Sequence, residues 1–128
     1  MKEELLINKY LAWMILFSNS DPLSFLTLRK TNSGETSLSS YVPLLNKEIG
    51  VVNSDIKTTF QLFFKIFDKT VEEYIKDKPD IKEKYEKQIK TTNIKNVSRK
   101  FEKENKYLLS ALCDLERTMK EDEDIVEA

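Results

Sequence analysis

Two glycines and three prolines in 128 residues leave this chain with little turn punctuation. An all-β protein turns about every ten residues and places those residue types at its corners. The sequence therefore predicts an all-α fold, an irregular five- or six-helix bundle with a long C-terminal amphipathic helix. A chain of this length makes one domain and buries roughly two-thirds of its unfolded surface. The expected division is a single helical domain over residues 1–120 and an acidic, fraying tail over 121–128, where Glu121 to Asp124 would oppose a helix dipole.

The first helix is expected from Lys2 to Phe17. Its stretch from Tyr10 to Phe17 is apolar on nearly every side, as suits an enclosed helix. At roughly 20 Å, the apolar run from Leu5 is too short for the hydrocarbon core of a membrane. The acidic start and the lack of a small-residue cleavage site also speak against a signal peptide. Asp21 and Pro22 would open a short helix over Leu23–Lys30, and Thr31 to Ser37 has loop composition. A third helix is expected over Tyr41–Ile49, with Pro43 in its first turn and Gly50 as its left-handed stop.

Asn53, Ser54 and Asp55 are expected to open a long helix reaching Lys76. Ile56, Phe60, Phe63, Phe67, Val71 and Tyr74 then fall on one face at three- and four-residue steps. Pro79 begins a further helix with a thin stripe of Ile81, Tyr85 and Ile89. The last helix, from Ile94 to Lys120, carries Ile94, Ser98, Phe101, Asn105, Leu108, Leu112, Leu115 and Met119 in alternating four-three spacing. That spacing suits either a seam to a protein partner or second copy, or the inward face of a bundle. Dilution by Ser98 and Asn105 favours the bundle. The expected protein-interaction positions are Phe101, Asn105, Tyr107, Leu108, Leu109 and Leu112.

A second pattern has the spacing of a helix-turn-helix. Ser40 to Ile49 would form its first helix, Gly50 its turn, and Ser54 onward its recognition helix. Lys57, Thr58, Gln61 and Lys65 would then face phosphates and base edges, with Lys95, Arg99 and Lys103 adding charge from the last helix. Asn46 in place of a small apolar residue and Asp55 near the expected phosphates weaken the pattern. The lysine-rich stretch from Lys76 to Lys106 could track a nucleic-acid backbone. However, Asp80 with Lys84, Glu83 with Lys87, Glu86 with Lys90 and Glu102 with Lys106 are acid-first pairs four apart. Such pairs stabilise a solvated helix face.

Catalytic chemistry has no support in the residue types. The chain contains no histidine and one cysteine, Cys113. Triads built on histidine, histidine metal ligation and an intrachain disulfide are thereby excluded. Cys113 follows Leu112 on an apolar arc and has Asp114 beside it, the setting of an inert thiol. Gly34 and Gly50 are isolated, so there is no phosphate-cradling loop. Neither a metal nor a cofactor is expected, and no catalytic residue is assigned.

The net charge of −1 names no partner. Lysine, asparagine and isoleucine enrichment in a small helical chain is common in proteins of phages, mobile elements and AT-rich genomes. The expected function is a non-enzymatic, intracellular protein-interaction module, acting in the cytoplasm as a small subunit, regulator or inhibitor of a larger assembly, whether protein or nucleoprotein. Its contact would be a protein partner or a second copy through a helix face, away from membranes. The second reading is a regulator that binds DNA or RNA, directly or within a complex.

Overall fold

The computed structural model describes residues 3–18, 25–93 and 96. The order of elements is α1 (Glu3–Ser18), β1 (Leu26–Lys30), β2 (Thr36–Val42), β3 (Lys47–Asn53), α2 (Ile56–Ile75) and α3 (Pro79–Thr91). The three strands form one antiparallel sheet in the order β1-β2-β3. This corrects the all-α expectation: the described chain is α+β, with a meander between its first two helices.

Two of the expected helices are strands. The segment expected as a helix over Leu23–Lys30 contains β1, and Tyr41–Ile49 supplies the end of β2, a turn and the start of β3. Leu26 pairs with Ser40 and Lys30 with Thr36, while Val42 pairs with Lys47 and Thr36 with Asn53. Thr36, Leu38, Ser40 and Val42 alternate inward along β2 and are buried, the period-two pattern of a half-buried strand. Leu26 and Ile49 join them from the flanking strands. Gly50 lies in β3 opposite Ser39 and ends no helix. A Cβ added there would sit 3.8 Å from that of Ser39, an ordinary contact.

The expected loop is the β1–β2 turn, although Thr36 and Ser37 already belong to β2. The Thr31 amide donates to the Glu35 carbonyl at 2.9 Å, and the Gly34 amide to the Thr31 carbonyl at 3.0 Å. Gly34 turns the corner at φ 88, where a side chain would clash with its own backbone.

The helices that remain follow their sequence patterns. The Asp55 carboxylate caps α2, accepting from the Thr58 amide at 2.8 Å and the Thr58 hydroxyl at 2.7 Å. Phe60, Phe63, Phe64, Phe67, Val71 and Ile75 are buried along this helix, which packs on β2 and β3. Pro79 starts α3, where a missing amide costs nothing, and Tyr85 is its buried residue.

Five consecutive residues of α1, Tyr10 to Met14, are fully buried. They span more than a turn, so the helix is enclosed on every side. The Tyr10 ring meets Phe63, Phe64 and Phe67 edge-on at 5.1–5.6 Å. Trp13 meets Tyr85 edge-on at 5.2 Å. The first helix, enclosed as its apolar run predicts, and the aromatic face of α2 thus form the centre. The expected last helix and acidic tail lie outside the described residues.

Candidate functional site

Among the described residues, the β2–β3 turn holds both non-glycine residues with positive φ. Its four residues are Pro43, Leu44, Leu45 and Asn46, between Val42 and Lys47. Leu44 has φ 74 and Asn46 has φ 54. Asparagine visits this left-handed region readily, whereas a bulky residue such as leucine does so at a cost. The neighbours of Leu44 hold it there. The Trp13 indole N–H donates to the Pro43 carbonyl at 3.0 Å. The Asn46 amide donates to the Val42 carbonyl at 3.1 Å, and the Tyr41 hydroxyl donates to the Asn46 side chain.

The result is an apolar tip fixed to the core. Leu44 is 41% exposed and Tyr41 43%, and the Phe25 ring lies 6.5 Å from that of Tyr41. The register places Tyr41 on the outward face of β2, opposite Glu48 on β3. Strain of this kind persists only where surrounding contacts over-determine it, and it concentrates at functional positions.

A second feature lies where the three described helices meet. An open cleft of about 260 Å³ runs between α1, α2 and α3. At its edge the Lys9 ammonium donates to Asp68 at 3.0 Å and stands 3.6 Å from Glu72. The Lys9 and Asp68 side chains are only 12% and 13% exposed, so this pair is shielded and the two helices are coupled through it. Tyr85 lines the cleft, and its hydroxyl is buried without a hydrogen-bond partner among the described residues. Burial pushes the Tyr85 phenol well above its ordinary pKa, and the nearby Asp68 and Glu72 carboxylates push it further. The group is therefore a neutral O–H donor throughout the working pH range.

Lys57, Thr58, Gln61 and Lys65 do share the first turns of α2, with Lys65 exposed and the other three half-buried. The element before them is a β-hairpin, so the pair of helices that a helix-turn-helix needs is not formed. The Thr58 hydroxyl is committed to the Asp55 cap, and Lys57, Gln61 and Lys65 each have interactions of their own. Lys95, Arg99 and Lys103 lie outside the described residues, as do Phe101, Asn105, Tyr107, Leu108, Leu109, Leu112 and Cys113. Of the expected helix pairs, Glu83 and Lys87 meet at 3.2 Å on exposed α3 surface.

Sequence reasoning missed both the turn and the cleft. Pro-Leu-Leu-Asn between two short alternating runs is a usable hairpin signal for the first. Nothing local marks the second, because the isolation of the Tyr85 hydroxyl depends on where three helices meet. Among the described residues no group of three or more acidic or cysteine side chains could hold a metal ion. No described helix is long and apolar enough to cross a membrane. No family model, curated protein or solved structure matches this chain.

Proposed function

We propose that this chain is a non-enzymatic protein-interaction module, a small regulator, inhibitor or subunit of a larger assembly, and that it engages its partner through the β2–β3 turn. The observation that carries this reading is Leu44, an exposed leucine held at φ 74 on a turn tied to the core through Trp13. A tip fixed in this way reaches a partner with little ordering left to lose, which favours affinity. Leu44, with the Tyr41 ring beside it, suits a partner surface that offers an apolar pocket. A buried aliphatic or aromatic anchor ringed by polar contacts is the usual energetic centre of an interface.

The test is affinity capture from the cells that make this chain, with the wild type, Leu44→Asn and Tyr41→Ser run in parallel. The expected result is a stoichiometric protein retained by the wild type and lost by both variants, with the circular dichroism spectrum unchanged in each. Identical capture by all three proteins would overturn the reading. So would the absence of any retained protein together with a monomeric wild type in sedimentation.

A further inference from the structure

The two edges of the sheet are not alike. β1 is five residues long and ends in Arg29 and Lys30, both exposed. Short length and basic side chains keep an edge from pairing with another chain. β3 runs seven residues in unbroken register with β2, and from Ile49 to Asn53 it carries no charge and no proline. Its Val52 is 53% exposed, the most of any large apolar side chain among the described residues.

The ladder fixes which groups the β3 edge offers. Opposed residues in antiparallel strands alternate between pairs that exchange hydrogen bonds and pairs that do not. The Thr31 amide donates to the Glu35 carbonyl, one step beyond the pairing of Lys30 with Thr36. Arg29 with Ser37 and Thr27 with Ser39 are therefore the bonded pairs of β1 and β2. Leu38, Ser40 and Val42 then turn their amides and carbonyls towards β3, where they meet Val51, Ile49 and Lys47. The amides and carbonyls of Glu48, Gly50 and Val52 are left pointing out of the sheet. All three residues are exposed, and no backbone hydrogen bond beyond the ladder reaches them among the described residues.

We propose that this edge pairs with the same edge of a second copy of the chain, antiparallel about a two-fold axis at Gly50. The sheet then continues across a symmetric dimer. In that register all of β3 overlaps and every outward amide and carbonyl finds a partner. Glu48 faces the partner's Val52 and Lys47 the partner's Asn53, so no like charges are opposed.

The flank of α2 favours a second copy over a lone extended peptide. α2 packs over β2 and β3, while the bond from Tyr10 to Ser40 sets α1 against β2, on the β1 side of α2. Asp68 marks the flank of α2 that meets α1, through Lys9. Ile66 stands two residues earlier and about half a turn round, on the flank towards the free edge, with Leu62 one turn before it. Both are exposed. Gly50 lies three residues before the end of β3, roughly 10 Å along the strand. A helix returning from Ile56 covers that distance in about seven residues, which brings Leu62 and Ile66 level with the axis. The copy would meet this apolar flank with its own, which a bare strand lacks. The inference uses other residues than the β2–β3 turn and does not depend on that turn's role.

The test is sedimentation equilibrium of the whole chain over a concentration series. The expected result is a reversible monomer–dimer equilibrium that Leu44→Asn leaves as it is. Val52→Pro removes an outward amide without touching the bonds to β2. It is expected to leave only monomer, with an unchanged circular dichroism spectrum. Val52→Glu opposes the partner's Glu48 at both symmetry-related positions and raises Kd about tenfold, whereas Val52→Lys attracts it and lowers Kd about tenfold at low salt. A wild type that stays monomeric throughout would overturn the proposal, even if the strand of another protein occupies the edge. So would a dimer that survives Val52→Pro, a dimer lost with Leu44→Asn, or Val52→Glu and Val52→Lys moving Kd in the same direction.

Discussion

Leu44 and Tyr85 occupy positions where another residue would serve folding better. At φ 74 the leucine Cβ crowds its own carbonyl, whereas an asparagine tolerates the conformation through local hydrogen bonding. Leu44→Asn is therefore expected to raise unfolding stability by about 0.5–1 kcal/mol, read as a higher urea midpoint at unchanged slope. A lower midpoint would mean that Leu44 contributes more through packing than it loses through strain. Tyr85→Phe belongs to the same class, since it removes a buried, unpaired hydroxyl. It is expected to leave the melting temperature unchanged or raised, and a clear fall would show that the hydroxyl has a structural partner. Leu44→Asn also separates folding from binding, because it should improve the first while damaging the second.

The Asp55 cap of α2 makes a helix terminus sensitive to acid. Its carboxylate is held below the ordinary value of 3.8 chiefly by the Thr58 hydroxyl, then by the Thr58 amide. The unfolded chain therefore binds this proton more readily than the folded one. The stabilisation is fully present above about pH 3.8 and is lost as pH falls through the lower folded value. Asp55→Asn retains an accepting oxygen at the cap without the titration. It is expected to flatten the acid limb of the stability profile below pH 3.8, while an unaltered limb would assign that limb to other groups. The opening of α2 at Asn53 to Asp55 was legible in the sequence, as were its stripe from Phe60 to Val71, the start of α3 at Pro79 and the enclosed nature of α1, whereas Ile56, expected in that stripe, is 42% exposed. Each rests on local rules, capping and helical period, that operate within a few residues. The meander was not legible because two of the four inward positions of β2 are polar, Thr36 and Ser40, which blurred the alternation. Pro43 and Gly50 then resemble helix punctuation, and the scarcity of other glycines and prolines strengthens that resemblance. In the candidate sites, the sequence pattern places Tyr41 at the start of a helix, whereas it lies in β2. Tyr85 was recognised as part of a stripe, but its isolated oxygen is a property of the packing.

For the whole molecule, the Lys9–Asp68 pair links α1 to α2 across 59 residues of sequence. Removing one partner of a shielded pair leaves an uncompensated charge, whereas removing both leaves none. Lys9→Met is expected to cost about 2–3 kcal/mol, and Lys9→Met with Asp68→Leu to recover most of that loss in the same urea assay. A double variant as weak as the single one would show that the lysine acts through its packing. The position of α1 also has a consequence for synthesis. The ribosome releases the most apolar of the described helices before the aromatic face that encloses it, and Trp13 must wait until Tyr85 has emerged. During that interval the nascent chain displays a sticky segment that α2 and α3 cannot yet cover, so early arrest of translation should yield aggregates or chaperone-held chains instead of a stable subdomain.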